Sequence, residues 1–352
     1  MLEEIVTPLV KWYRENKRIL PWRDKGNAYY TWVSEIMLQQ TRVEAVKPYF
    51  ERFITELPDV ESLADCPQEK LLKLWEGLGY YNRVRNMQEA AQTVKKEYNG
   101  RLPEDYQALL SLKGIGSYTA GAIASIAYGI NVPAVDGNVL RVISRITESA
   151  EDISRQAVRK KIEQQLQEIM PEECPGDFNQ ALMELGAVVC VPNGPARCME
   201  CPVAALCKAY HHGTVDELPV KAPKKKRTIE NKTVLVIQDG ECTAIRKRPQ
   251  EGLLAGLYEL PNVEGHLSMD EALQKVKEMN LEPLHIEVLP EAKHIFSHIE
   301  WRMIGYRIHV SSLEERKEAP FIFIEKKQSE KQYAIPSAFR AYIKYMKEKP
   351  GK

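Results

Sequence analysis

Four cysteines in 18 residues, Cys190-VPNGPAR-Cys198-ME-Cys201-PVAAL-Cys207, constrain this chain more than any other feature. A sulfur-only ligand set at this spacing selects zinc or an iron–sulfur cluster, and spacing alone does not choose between them. Disulfide pairing is the alternative. The N-terminus, MLEEIVTPLVKWYRENKRILPW, carries charges at close intervals and reads as an amphipathic helix, not a secretory signal. Cytosolic proteins rarely keep disulfides. No apolar stretch approaches the ~20 residues needed to cross a bilayer. The cytoplasm is the expected compartment.

At 352 residues the chain is long for one core and sufficient for two or three domains. Its 49 Lys/Arg balance its 49 Asp/Glu, but not evenly along the chain. Residues 1–220 hold 25 basic against 30 acidic side chains, and residues 221–232 hold six against one. This is not the composition of a uniformly basic nucleic-acid binder. A DNA partner would have to be gripped by local geometry and a few placed charges. The run Lys224-Lys225-Lys226-Arg227 reads as a solvated linker.

The pattern to about residue 210 is helical. Val43, Val46, Tyr49, Phe50, Phe53, Ile54 and Leu57 recur at helical intervals, as do Leu71, Leu74, Trp75 and Leu78. A third such helix follows Val158, Ile162, Leu166 and Ile169, with Ser154 as its expected N-cap. Asp177, with Gln180 three residues on, is expected to cap the helix running into the cysteines. Beyond the linker, Thr233–Ile237 and Arg302–Val310 read as strands, and Ser268-x-x-Glu271 as a capping box. The expected organisation is a mainly α region over 1–219, a basic linker over 220–231 and a small α+β domain over 232–352.

Leu112-Lys113-Gly114-Ile115-Gly116 links two helical stretches. Gly114 and Gly116 permit a tight hairpin, Ile115 plugs the core, and outward N–H groups at the start of the next helix favour an anion. This is a helix-hairpin-helix, a clamp for a DNA phosphate. Asp136, after Pro133, reads first as a cap for the helix that Asn138 opens. A capping carboxylate with its second oxygen free can also stabilise a developing cation. Glu35 stands among Val33, Ile36, Met37 and Leu38. In a dry pocket its pKa would rise, which suits a general acid.

The motifs Leu20-Pro21-Trp22-Arg23, Ser34-Glu35-Ile36-Met37-Leu38-Gln39-Gln40-Thr41, Trp75–Tyr81, Gly114–Ala120 and Val135–Val139, together with the four cysteines, resemble those of the MutY-type adenine DNA glycosylases of the helix-hairpin-helix superfamily. The resemblance implies a helix-hairpin-helix glycosylase fold with an iron–sulfur loop, followed by a Nudix-like domain. It also implies a [4Fe–4S] cluster on Cys190, Cys198, Cys201 and Cys207. The Cys190–Cys198 interval is one residue longer than the family's, in the Asn193-Gly194-Pro195 turn.

By the same resemblance the substrate is adenine opposite 8-oxoguanine or guanine in duplex DNA. Glu35 protonates the extruded base, and Asp136, oriented by Asn138, stabilises or attacks the cationic sugar. Tyr80 and Gln40 match positions that enter the helix, Gln180 reads the adenine edge, and Arg23, Leu38, Gln39 and Thr41 contact substrate or DNA. Tyr118 stands where glycosylase–lyases of the endonuclease III type carry a Schiff-base lysine. A phenol forms no imine, so base removal without strand cleavage is expected. Gly252–Pro261 and the segment Phe296-Ser297-His298 resemble the Nudix-like lesion-reading region, and no R-E-x-x-E-E hydrolase signature accompanies them. A monomer at the bacterial nucleoid is expected. Nothing in the sequence identifies a clamp or mismatch-repair partner.

Overall fold

The computed structural model describes residues 2–23, 26–223, 226–311, 321–325 and 332–346. Contacts divide the chain into two units, Met1–Cys66 with Asn82–Pro223, and Pro67–Tyr81 with Lys224–Lys352. Pro67–Tyr81 was expected in the helical region, yet its contacts are with the C-terminal sequence. No helix among the described residues is long and apolar enough to cross a membrane.

The first unit is helical. Helices Val6–Asn16, Gly137–Thr147, Gln156–Ile169 and Pro175–Val188 pack their apolar faces into one core around Leu9, Tyr13, Val139, Ile143, Leu166, Phe178 and Leu182. Helix Ala28–Leu38 is buried from Tyr29 nearly to its end, with Trp32 and Val33 fully enclosed. An almost wholly apolar helix must be covered on all sides, so a carboxylate on it lies in the interior.

Two helix starts differ from expectation. Gln156–Ile169 begins after Arg155, because Ser154 instead bonds Asp152 with both its N–H and its hydroxyl. Pro175–Val188 begins at a proline, which suits the first helical position. Asp177 therefore lies inside the first turn and pairs with Arg14 at 2.8 Å. Gly137–Thr147 is capped by Asp136, as its sequence reads.

The hairpin forms as expected. Helices Tyr106–Ser111 and Ser117–Tyr128 flank it, Ile115 is buried, and Gly114 has φ +77°. A Cβ on Gly114 would fall 2.7 Å from that of Asn86, so conformation and space both require glycine. Gly116 caps the second helix without a side-chain acceptor.

Among the described residues of the second unit, seven strands form one mixed sheet: β1 (Thr228–Asp239), β2 (Cys242–Lys247), β3 (Tyr258–Glu259), β4 (Asn262–Glu264), β5 (Pro283–Ile295), β6 (Ile299–Val310) and β7 (Ile322–Glu325). The order is β3-β2-β1-β6-β5, with β4 also on β1 and β7 on β2. β1 runs parallel to β6 from Thr228 opposite Ile299 to Gln238 opposite His309. It begins inside the expected linker, of which Lys224 and Lys225 lie outside the described residues.

Val234 and Val236 of β1 join Trp301, Met303 and Phe339 on one face of the sheet. Leu235 and Ile237 join Ile308 and the helix Met269–Glu278 on the other. The capping box Ser268/Glu271 closes that helix as expected. Glu69, on the helix Gln68–Leu74, accepts from Tyr258 Oη and Lys247 Nζ, both at 3.0 Å, and Glu76 accepts the N–H of Ile335 at 2.8 Å. These bonds account for the placement of residues 67–81.

Candidate active site

A cavity of about 650 Å³ opens in the first unit, with Glu35, Tyr118, Asp136, Asn138 and Gln180 in its walls. Glu35 reaches it from the buried helix and is 7% exposed. Burial pushes its carboxyl up to about 7. The hydrogen bond from Tyr118 opposes the shift, the charge of Asp136 adds to it, and Arg23 opposes it. Tyr118 donates from Oη to Glu35 Oε2, and burial and the adjacent carboxylates raise its own pKa well above the ordinary value. Near neutral pH the pair can hold a proton on Glu35 beside a phenol that stays neutral.

Asp136 faces the same space from the start of helix Gly137–Thr147. Its Oδ1 accepts the N–H of Val139 at 2.8 Å, the capping bond. The second oxygen accepts from Asn138 Nδ2 at 2.7 Å, the bond by which Asn138 can orient the carboxylate. Burial raises its pKa, and these bonds from Val139 and Asn138 oppose the rise. Arg141 in turn fixes Asn138. Its Nη2 donates to Asn138 Oδ1 at 3.0 Å and to the carbonyl of Gly186 at 2.7 Å, and its Nε to the carbonyl of Cys190 at 2.9 Å. The orientation of the carboxylate is thus tied to the helix that leads into the cysteines.

Leu38, Gln39, Gln40 and Thr41 line the cavity where the Glu35 helix ends, and Gln40 takes a left-handed φ of +61°. Arg83 gathers the end of that helix, its Nη1 2.7 Å from the carbonyl of Ile36 and 2.6 Å from that of Gln39. Gln180 donates to the carbonyl of Gly176 at 3.2 Å. Arg23 is turned inward, with its side chain 10% exposed and Nη2 2.6 Å from Glu184 Oε2. Sequence reading missed Arg18, Arg83, Arg141, Glu184 and Gly186. All are defined by partners far away in the chain.

Cys190, Cys198, Cys201 and Cys207 line one pocket walled by Val142, Ile146, Leu185, Val189 and Val203. None is in a disulfide. Arg145 Nη1 lies 3.2 Å from Cys190 Sγ. Burial pushes the Cys201 thiol up to about 12, and Cys190, Cys207 and Cys198 add to the rise. Without a cation beside it the Cys201 thiol stays protonated at neutral pH. Sulfur ligands in an apolar-walled pocket are the donor chemistry that suits an iron–sulfur cluster, although as placed no three metal-ligating side chains among the described residues are grouped closely enough to hold a metal ion.

In the second unit Phe296, Ser297 and His298 form the loop of the β5–β6 hairpin. The Phe296 ring packs edge-on to Trp301 at 4.9 Å and to His294 at 4.6 Å, leaving Ser297 and His298 exposed. Tyr80, 49% exposed with φ +47°, sets its hydroxyl 3.3 Å from Ser297 Oγ.

Two family models match: the HhH-GPD superfamily of base excision DNA repair proteins over residues 33–170, and the NUDIX domain over 233–345. The adenine DNA glycosylase of Mus musculus is 35% identical over 366 residues, covering 87% of this chain and 70% of its own. That of Buchnera aphidicola (strain Bp) is 35% identical over 295 residues, covering 83% and 82%. The chain belongs to the adenine DNA glycosylase family. Among solved structures, a thermostable thymine-DNA glycosylase matches with TM-score 0.54 and 27% identity over 60% of this chain and 97% of that one. A trapped endonuclease III–DNA covalent intermediate shares the fold, with TM-score 0.52, 24% identity and coverage of 60% and 96%. Family membership makes this chain a DNA N-glycosylase of base excision repair, with the cavity around Glu35 and Asp136 in its helical unit.

Proposed function

We propose that this glycosylase removes adenine paired with 8-oxoguanine or guanine by hydrolysing the N-glycosidic bond, and leaves the strand intact. The observation that carries the reading is one cavity holding a buried carboxyl with a pKa near 7 and a second, hydrogen-bonded carboxylate. Breaking an N-glycosidic bond needs a proton for the departing base and a negative group beside the sugar, the division of labour found in glycoside hydrolysis. The adenosine leaves the stack to reach these groups. Glu35 delivers its proton to the base, turning an anionic leaving group into a neutral one. Asp136, held by Asn138 and Val139, faces the cationic sugar, where fixed negative charge stabilises the transition state.

Tyr118 keeps Glu35 in place and offers no amine for imine formation. Among the described residues the cavity wall holds one lysine, Lys221, and it is exposed. Gln180 offers an amide donor and acceptor to the adenine edge. Gln40 and Tyr80 fill the space left by the extruded base, the hairpin from Gly114 to Gly116 grips a phosphate, and Leu38, Gln39 and Thr41 border the bound nucleoside. The loop Phe296-Ser297-His298 reads the opposite base. Cys190, Cys198, Cys201 and Cys207 hold a [4Fe–4S] cluster, which would cross-link the end of the helical unit.

The reading is tested by incubating the full chain with duplexes carrying one adenine opposite 8-oxoguanine, guanine or thymine. Free adenine from the first two and not the third is expected, and Glu35→Gln and Asp136→Asn should abolish it. Release from the thymine pair at an equal rate would contradict the assignment.

A further inference from the structure

Glu184, on the helix Pro175–Val188, has a side chain 1% exposed and no part in the chemistry above. A carboxylate so far from water must be paired. Arg18 places Nε 2.6 Å from its Oε1 and Nη2 3.0 Å from its Oε2, and Arg23 places Nη2 2.6 Å from Oε2. The backbone N–H of Arg18 adds a bond at 3.2 Å, and Arg23 Nη1 donates to the carbonyl of Arg18 at 3.0 Å. The Arg23 guanidinium also lies over the Tyr13 ring, 5.6 Å from its centroid. One carboxylate thus fixes two guanidiniums, net charge +1, in the wall of the cavity that holds Glu35.

We propose that Glu184 is a positioning residue that clamps Arg18 and Arg23 to the cavity wall and so sets the proton affinity of Glu35. This rests on the reading of Glu35 as proton donor. Tyr118 faces Glu35 from helix Ser117–Tyr128, Asp136 from the start of Gly137–Thr147, and Arg23 from the segment after the first helix. Arg83 holds the carbonyl end of Glu35's own helix, and Arg141, Arg159 and Lys221 line the cavity farther along. Among these, Asp136 favours the protonated acid and Arg23 disfavours it.

Glu184 itself stays ionised. Burial would raise its pKa, but the bonds and charges of Arg18 and Arg23 win and hold it at about 2. Without that counter-charge, Arg23 either remains as an uncompensated cation or swings onto Glu35. Both outcomes lower the affinity of Glu35 for its proton. Removing Arg23 acts in the opposite direction.

The test is the pH profile of single-turnover adenine release by the full-length protein, its Glu184→Gln and Glu184→Asp variants, and Arg23→Gln. Release requires protonated Glu35, so the rate falls as pH rises through its pKa. Glu184→Gln should move that fall to lower pH by on the order of one unit, about a tenfold loss on the alkaline side. Glu184→Asp should restore the parental midpoint, and Arg23→Gln should move it to higher pH. A folded Glu184→Gln protein with an unmoved midpoint would overturn the proposal. Should that variant fail to fold, an unmoved or acid-shifted Arg23→Gln midpoint would overturn it instead. A parent that releases no adenine at any pH would overturn the reading of the site, and the proposal with it.

Discussion

Gly186 backs directly onto Asn138: a Cβ built on Gly186 would lie 2.6 Å from the Asn138 Cβ and 3.3 Å from Arg141 Nη2. The side chain that orients Asp136 is therefore wedged against a bare stretch of helix. Gly186→Ala should displace Asn138 and lower adenine release by ten- to a hundredfold, roughly one to three kcal/mol of transition-state stabilisation. Glycine to alanine within a helix raises helix propensity by about 1 kcal/mol, so thermal stability should fall less than activity does. Unchanged single-turnover rates would show that the contact does not orient Asp136.

Glu35 gives a stability signature as well as a catalytic one, and both fall as pH rises. Its folded pKa of about 7 exceeds the ordinary 4.5, so the folded chain holds the proton longer than the unfolded chain. Stability therefore falls as pH rises from about 4.5 to about 7. Glu35→Gln should remove the penalty while keeping an acceptor for Tyr118. Denaturant titration should find the variant more stable above pH ~7.5, by on the order of 3 kcal/mol, and equal to the parent below pH ~4.5. A constant difference across pH would show that Glu35 is not a strained buried acid.

Protein purified without oxygen should be brown, with iron and sulfide near four each per chain. Cys198→Ala should lose the colour and weaken duplex binding, because the pocket of four thiols closes the end of the helical unit. A colourless parent with one zinc and full activity would refute the cluster.

The lesion-reading loop is best tested by point changes in the full chain. A cut near Pro219 would strip Glu69 and Glu76 of Tyr258, Lys247 and Ile335, exposing the segment 67–81. Ser297→Ala with His298→Ala should instead leave release from adenine–guanine pairs near the parental rate. The preference for 8-oxoguanine over guanine should fall about tenfold or more, the loss of one or two hydrogen bonds. An unchanged preference would place lesion reading elsewhere.

Glu35, Asp136 and Tyr118 were legible because each stands in a short motif whose local chemistry is unusual: an acid in an apolar helix, a cap after proline, a phenol at a helix start. The hairpin and the thiols were legible for the same reason. Glu184 was not. It looks like any charged residue of an amphipathic helix until Arg18, 166 positions earlier, folds against it. Arg141 and Arg83 were hidden likewise, since most of their partners are backbone carbonyls, which leave no trace in side-chain patterns. The helix starts at Gln156 and Pro175 were misplaced because Ser154 and Asp177 found loop or tertiary partners that outcompeted capping. The placement of Pro67–Tyr81 rests on single bonds to residues far along the chain, which periodicity cannot show.

The most direct measurement follows two products from one reaction. A duplex with a single adenine opposite 8-oxoguanine is incubated with the protein, and free adenine and strand breaks are scored separately, with borohydride added to a parallel sample. The account predicts stoichiometric adenine release, an abasic strand that breaks only on later alkali treatment, and little trapped complex, with Lys221→Ala unchanged throughout. Strand scission without alkali, together with efficient trapping on any lysine, would contradict it.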